Sequence, residues 1–263
     1  MILLLPCFKV MARGDTAVNL LKQNIIPGNY TNFYIDNLNN IYLINSDNQV
    51  KKLDDKYDSA GVFNDVRRYG DIYSVDVSNP LKIIVYYKDF STILVLDRFF
   101  NTLNTIDLRK YGILQAKAVA QSYDNNYWLF DELDSKIKKL DDNGNVLLES
   151  SDFRILFSEQ YDPSRIIDND GMLYLYDIKN GWLIFDYYGG LKQRVQVTGW
   201  KNVQVSDKHL FGHDDQYLYF SDPGALSIQQ LKPNINLASV IKMQKLANKF
   251  FVLTKEGLFI YTL

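Results

Sequence analysis

The chain has 263 residues, 47% of them hydrophobic and 14% aromatic, which is enough for one large all-β domain or two small ones. Its 29 basic and 31 acidic residues leave a formal charge of −2, so there is no overall basic field and we expect no nucleic-acid partner. A single cysteine excludes a disulfide framework or a thiolate metal cluster, and no stretch reaches the roughly 20 apolar residues of a membrane span.

The first 16 residues are predicted to be a leader or the remnant of a signal peptide, ahead of one domain that covers residues 17–263. Residues 2–8 are apolar, and Val10 and Ala12 have the small-residue spacing of a signal-peptidase site. The basic start of a signal peptide is missing, so a disordered leader or an N-terminal strand is the alternative. We expect an exported, periplasmic protein, with the cytoplasm as the other location.

Internal repeats predict the architecture. Six units of short apolar strands have second strands that begin near residues 41, 82, 127, 172, 209 and 249. A period of roughly 40 to 45 residues with four strands per unit is typical of β-propeller blades. The sixth unit lacks a fourth strand, and residues 17–26 are predicted to supply it and close the ring. The fold class is therefore all-β, a propeller of six four-stranded blades, although the irregular fifth unit leaves five or seven open.

Aspartates recur where third strands end. An apolar residue precedes Asp54, Asp97, Asp141 and Asp186, and each stands before a short polar segment. Asp and Asn bond their own backbone and tolerate left-handed conformations, so these residues predict tight turns rather than metal ligands. The longest irregular connection, residues 151–164, is expected to carry one helical turn and to be functional or mobile.

Residue patterns for catalysis or metal binding are weak. His209 and His213 are four apart, a spacing that ligates one metal on a helix but places the side chains roughly 13 Å apart on a strand. Residues 141–145 and 168–171 resemble fragments of calcium loops but lack the bidentate Glu. No nucleophile elbow, Walker loop or dinucleotide fingerprint is present. We predict no catalytic residues, no metal site and no cofactor.

Two connections share a pattern of two basic residues, tyrosine and glycine. They span residues 66–70 and 108–112, one repeat apart, and so occupy equivalent positions in consecutive blades. We predict that they form a basic, aromatic patch for a protein partner, because Arg and Tyr are favoured interface anchors. The alternative is that each tyrosine packs between blades and each basic residue is solvated. The patch residues are Arg67, Arg68, Tyr69, Arg109, Lys110 and Tyr111.

The turn pattern, an apolar residue followed by Asp, two further residues and Gly or Asn, resembles NHL- and YncE-like propellers. Within that group three runs are similar to small exported propellers of bacteria with a type 9 secretion system: VFNDVRRYG at 62–70, IDLRK at 106–110 and QSYDNN at 121–126. The resemblance covers residues 32–223. It implies a non-catalytic subunit that plugs the periplasmic mouth of the outer-membrane translocon, with that translocon or another envelope protein as partner.

Two other classes of function stay open. A propeller enzyme, such as a metal-dependent lactonase or a lyase, predicts acidic or His residues that converge at the central channel. A propeller that binds a small ligand or glycan predicts exposed rim aromatics, for which Tyr187, Tyr188 and Trp200 are candidates unless they pack between blades. We favour the protein-interaction propeller and predict no enzymatic activity.

Overall fold

The chain forms a ring of six sheets, each with four antiparallel strands, and one sheet carries a fifth strand. The computed structural model describes residues 11–206, 209–222 and 227–263, without the side chains of residues 11–15, Val66, Arg67 and Ser227. Two strands come before the first sheet, β1 (Met11–Val18) and β2 (Leu21–Pro27). No helix in these described ranges is long and apolar enough to cross a membrane.

Each of blades 1 to 3 is built from four consecutive strands. Blade 1 has β3 (Tyr30–Ile35), β4 (Ile41–Asn45), β5 (Val50–Leu53) and β6 (Ser59–Phe63). Blade 2 has β7 (Ser74–Asp76), β8 (Ile83–Tyr87), β9 (Thr92–Leu96) and β10 (Thr102–Asp107). Blade 3 has β11 (Ala116–Gln121), β12 (Tyr127–Asp131), β13 (Lys136–Leu140) and β14 (Val146–Glu149).

Blades 4 to 6 follow in the same way. Blade 4 has β15 (Arg165–Asn169), β16 (Met172–Asp177), β17 (Gly181–Asp186) and β18 (Leu191–Val195). Blade 5 has β19 (Lys201–Ser206), β20 (His209–His213), β21 (Leu218–Ser221) and β22 (Ser227–Pro233). Blade 6 has β23 (Lys242–Leu246), β24 (Lys249–Thr254) and β25 (Gly257–Thr262).

Short helices lie in the connections between blades. They are α1 (Val66–Tyr69), α2 (Phe153–Leu156) and two 3-10 helices, Leu108–Tyr111 and Leu237–Ser239. The helix α2 confirms the helical turn predicted for residues 151–164. Asp152 caps its first turn by accepting a hydrogen bond from the backbone N of Arg154 at 2.8 Å, as an N-cap residue does.

The N-terminal segment closes the ring, as the sequence predicts. Strand β2 pairs antiparallel with β25 and becomes the outermost strand of blade 6, which gives six blades of four strands. The bounds of this strand differ from the predicted 17–26 because β1 ends at Val18 and β2 begins only at Leu21. There Asn234 accepts from the backbone N of Leu20 at 2.8 Å, where the chain crosses from blade 5 to blade 6.

Strand β1 is an addition that the repeat pattern did not predict. It runs parallel to β22 and adds a fifth strand to blade 5, in contrast to the antiparallel pairing elsewhere in the ring. Residues 11–16 of the predicted leader belong to this strand, and residues 1–10, with the apolar run at 2–8, lie outside the described residues. By pairing with β22 it covers a sheet edge that would otherwise be open to another chain.

The four aspartates after third strands open turns, which confirms the prediction made for them. Asp54 accepts hydrogen bonds from the backbone N of residues 56 and 58, both at 2.9 Å, and Asp97, Asp141 and Asp186 repeat the pattern. Three positions after each aspartate the backbone is left-handed, at Tyr57, Phe100, Gly144 and Gly189. One oxygen of each carboxylate is therefore engaged by backbone amides of its turn.

Buried side chains lie between neighbouring blades. The described residues contain six hydrophobic clusters, one for each of the six blade-to-blade contacts. The cluster between blades 6 and 1 joins Phe251 and Leu253 to Phe33 and Ile41, four side chains at most 2% exposed. Burying each such side chain contributes roughly 1.5 to 3 kcal/mol, so the seam where the ring closes is packed like the others.

Side chains also link the innermost strands, which do not pair with one another. Gln244 on β23 accepts from the backbone N of Ile35 on β3 and donates to its O, both at 3.1 Å. Asp76 on β7 accepts from the backbone N of Gln121 on β11 at 2.8 Å. These bonds satisfy strand edges that face the central channel.

Gly181 lies close to the backbone of Val195, so we expect a larger residue there to lower the stability of the protein. The residue has φ +84° at the start of β17, and an added Cβ would lie 2.3 Å from the backbone O of Val195. We expect Gly181→Ala to lower the free energy of unfolding by about 3 kcal/mol, through backbone strain and this clash, as measured by equilibrium denaturation. Gly171→Ala is the matched control, because Gly171 has φ +79° with no atom within 4 Å of its Cβ position. It should lose only about 1 kcal/mol; equal losses would contradict the close approach.

Candidate functional site

The two basic connections occupy equivalent places in consecutive blades. The first is helix α1 and ends at Gly70, with φ 75°; the second is the 3-10 helix Leu108–Tyr111 and ends at Gly112, with φ 78°. Asp107 caps the second helix and holds the Arg109 side chain, with Nε 2.9 Å from Oδ1. This contact lowers the pKa of Asp107 and raises that of Arg109.

One turn of blade 2 lies between these connections. A Cβ at Gly70 would lie 3.2 Å from the Phe90 ring, and the backbone N of Leu108 donates to the O of Ser91 at 2.9 Å. Both connections and this turn lie on the same face of the ring, because neighbouring strands in each blade alternate in direction. Phe90 is 44% exposed, so the two basic segments flank an exposed aromatic ring that the sequence analysis did not single out.

The two predicted tyrosines differ in exposure. Tyr69 is buried and packs on Tyr87 with ring centroids 5.1 Å apart, which is the inter-blade packing that the sequence analysis kept as an alternative. Tyr111 is 37% exposed, and its hydroxyl donates to the backbone O of Asn143 in blade 3. Of the predicted patch, only Tyr111 therefore offers an aromatic ring to solvent.

Three basic residues of the patch, Arg68, Arg109 and Lys110, are exposed. Arg68 lies over the Tyr69 ring at 5.2 Å, and Lys110 projects from the 3-10 helix. The side chain of Arg67 lies outside the described residues. We call the combined area the blade 2 surface and define it by Arg68, Phe90, Arg109, Lys110 and Tyr111.

The central channel is lined by polar and basic side chains of the innermost strands. Its cavity measures about 610 Å³ and includes Asn32, Asp76, Arg165 and Lys242. Among the described residues, no group of three or more His, Cys, Asp or Glu is placed to hold a metal ion. The described lining therefore does not show the convergence of acidic and His residues that the enzyme alternative predicts.

The two histidines lie at opposite ends of strand β20, as expected for a strand rather than a helix. His209 is exposed, whereas His213 is buried with Nδ1 2.8 Å from the O of Asp214 and Nε2 2.8 Å from Oδ1 of Asn202. Burial lowers the pKa of His213 below its usual range. Through its contact with Asn202, the His213 ring links β20 to β19 within blade 5.

A second cavity, of about 680 Å³, lies between blades 3 and 4 at the face opposite the blade 2 surface. Tyr123 and Tyr187 stack there with centroids 4.7 Å apart and planes 8° apart, and Tyr123 is 68% exposed. Asp168 accepts from Ser122 Oγ and Trp128 Nε1, both at 3.0 Å, and from the Tyr187 hydroxyl. We call this the tyrosine pocket.

The oxygens of two amide side chains that line the tyrosine pocket are not satisfied. Within the described part of the chain, the buried atoms Gln121 Oε1 and Asn169 Oδ1 have no hydrogen-bond partner. A buried acceptor without a donor loses roughly 1 to 3 kcal/mol, so a donor from water or from a bound ligand would stabilise each of them. Of the three candidate rim aromatics, Tyr188 is 92% exposed, Tyr187 is half-buried, and Trp200 is buried and stacks on Tyr219 at 5.1 Å.

Comparisons with known proteins show the fold. No family model matches the sequence, and no curated protein matches it. Among solved structures, virginiamycin B lyase from Staphylococcus aureus is similar with a TM-score of 0.64 and 10% identity, covering 91% of this chain and 99% of that one. The β-propeller domain of Myceliophteria thermophila Cps50 (Swd1) has a TM-score of 0.63 and 8% identity, covering 93% and 99%.

A third structure, a streptogramin B lyase, has a TM-score of 0.61 and 13% identity, covering 88% of this chain and 78% of that one. The neighbours thus include an enzyme and a propeller domain, all at very low identity. The chain is a six-bladed β-propeller. Resemblance to NHL- and YncE-like propellers in particular stays a prediction, because no family model matches.

Proposed function

We propose that this protein is a non-catalytic interaction propeller that binds another protein through the blade 2 surface. The observation that carries the proposal is the flanking of exposed Phe90 by two basic connections. Neither Arg68 nor Lys110 forms an ion pair within the described residues, so their charges are available to an acidic partner. An aromatic ring surrounded by arginine and tyrosine is the composition that interface hot spots favour.

The finer proposal concerns the partner and the compartment. The turn pattern and the runs at 62–70, 106–110 and 121–126 are similar to exported propellers of type 9 secretion bacteria. On that basis the partner is the outer-membrane translocon or another envelope protein, and the propeller blocks the periplasmic mouth of the pore. The run at 62–70 overlaps helix α1, so the resemblance and the geometry concern the same part of the ring.

Charge reversal on the blade 2 surface tests this proposal. In a triple variant that combines Arg68→Glu, Arg109→Glu and Lys110→Glu, we expect the amount of captured partner to fall at least tenfold. The reversed charges would repel an acidic surface. The measurement is quantitative mass spectrometry of proteins cross-linked to the tagged chain in the native envelope. Phe90→Ala should weaken capture of the same partner without reversing any charge.

The control variant carries the same change in net charge on blades 4 to 6. It combines Lys179→Glu, Lys232→Glu and Lys255→Glu, which change three exposed lysines away from the blade 2 surface. It should retain the partner. Equal capture by both triple variants would contradict the proposed surface, and a partner outside the translocon would reject only the finer proposal.

A second candidate function is carbohydrate binding at the tyrosine pocket, and the two unpartnered amides favour it. A sugar ring stacks on an exposed aromatic face such as that of Tyr123. Its hydroxyls can satisfy Gln121 and Asn169 in either amide orientation, because a hydroxyl both donates and accepts. The cavity of about 680 Å³ is in the size range of ligand sites.

Matched tyrosine substitutions test carbohydrate binding. On a glycan array we expect Tyr123→Ala to abolish binding of any glycan that the unchanged protein retains, because the stacking face is lost. Tyr188→Ala, which removes a neighbouring tyrosine that is 92% exposed, should leave binding unchanged. Absence of binding to all glycans, or equal loss in both variants, would reject this second function.

A further inference from the structure

Two basic side chains at one mouth of the central channel have no acidic partners within the described residues. Arg165 begins β15 and Lys242 begins β23, and both line the cavity of about 610 Å³. All innermost strands run in the same direction, so these residues lie toward the same mouth of the channel. Within the described chain neither forms an ion pair, whereas nearby Lys201 is paired with Asp215 at 2.6 Å.

The acidic residue that lines this channel offsets only part of the positive charge. Asp76 accepts from the backbone N of Ser78 and of Gln121, both at 2.8 Å, and it forms no ion pair with Arg165 or Lys242 within the described chain. An uncompensated charge in a partly closed cavity is unfavourable unless a counterion or ligand balances it. The lining also contains Lys201 and Lys245, so its basic residues outnumber the acidic one.

The Lys242 ammonium is held in place rather than free to move. It donates to Asn32 Oδ1 at 2.7 Å and lies 3.3 Å from the centre of the Tyr34 ring. The Tyr34 hydroxyl accepts from Asn32 Nδ2 at 3.3 Å, which leaves its own proton available as a donor. Burial, and then the charge of Arg165, lower the pKa of Lys242 well below its usual range. Arg165 also acts on Tyr34, which places the three groups around one space.

We propose that the central channel binds a compact anion that bears carboxylate or phosphate groups, held by Arg165 and Lys242. The planar guanidinium of Arg165 fits either group with two parallel hydrogen bonds, and a bound anion favours the protonated form of Lys242, which then adds a point charge. Tyr34 supplies a neutral donor between them. The site is separate from the blade 2 surface and from the tyrosine pocket, so its failure leaves the proposed function untouched.

Titration with two defined anions tests the proposal. Citrate represents multivalent carboxylates and inorganic phosphate represents phosphate groups, each at constant ionic strength set with sodium chloride. We expect at least one of them to bind by isothermal titration calorimetry and to raise the melting temperature with the logarithm of its concentration once that concentration exceeds the Kd. Binding of citrate alone assigns carboxylate ligands, and binding of phosphate alone assigns phosphate ligands.

Variants then locate the binding. Arg165→Gln and Lys242→Gln should each weaken the anion at least tenfold, and Arg165→Lys, which keeps the charge but loses the fork, should weaken it less than Arg165→Gln. The matched control is Lys249→Gln on the neighbouring strand β24, because Lys249 is not part of the cavity lining. It should bind as the unchanged protein does.

Either of two results would reject the proposal. One is that neither anion binds to the unchanged protein, and the other is that Arg165→Gln and the control bind with equal affinity. Without anion, Arg165→Gln should melt no lower than the unchanged protein, because it removes an uncompensated charge. A lower melting temperature in Arg165→Gln would show that this charge supports the fold instead of a ligand.

Discussion

The ring depends on the pairing of β2 with β25, which joins the second strand of the described chain to its last strand in one blade. Without this pairing the edge of β25 is open, and blade 6 is a three-stranded sheet between blades 5 and 1. The hydrophobic cluster around Phe33 and Phe251 and the amide of Gln244 then complete the seam. With this seam closed, blades surround the channel on all sides.

Closure also arranges the candidate sites. The blade 2 surface and the basic mouth of the channel lie on the face where outermost strands lead into the next innermost strands. The tyrosine pocket lies on the other face, built from turns of blades 3 and 4. A partner at the blade 2 surface would thus lie on the same face as Arg165 and Lys242. An anion in the channel and a protein on that face are compatible occupants of one molecule.

Local patterns in the sequence were sufficient for the fold and insufficient for the sites. The period of the second strands and the aspartates such as Asp97 report backbone geometry, which depends on neighbours in the chain, and both predictions are confirmed. The sequence did not indicate Phe90 as a site residue. Its position between the two basic connections depends on contacts made by Gly70 and Ser91, which join segments that are distant in the sequence. A signal for the channel was present, since the innermost strands of blades 4 and 6 both begin with a basic residue.

Residue-resolved hydrogen exchange along β25 tests the closure most directly. Every second amide of a β-strand faces the opposite neighbour, so amides of an edge strand alternate between slow and fast exchange. The register from Leu21–Thr262 to Pro27–Gly257 places β25 between two partners. Continuous protection from Leu258 to Thr262 is the predicted result. Alternating fast exchange there, with β24 fully protected, would contradict a ring closed by the N-terminal strand.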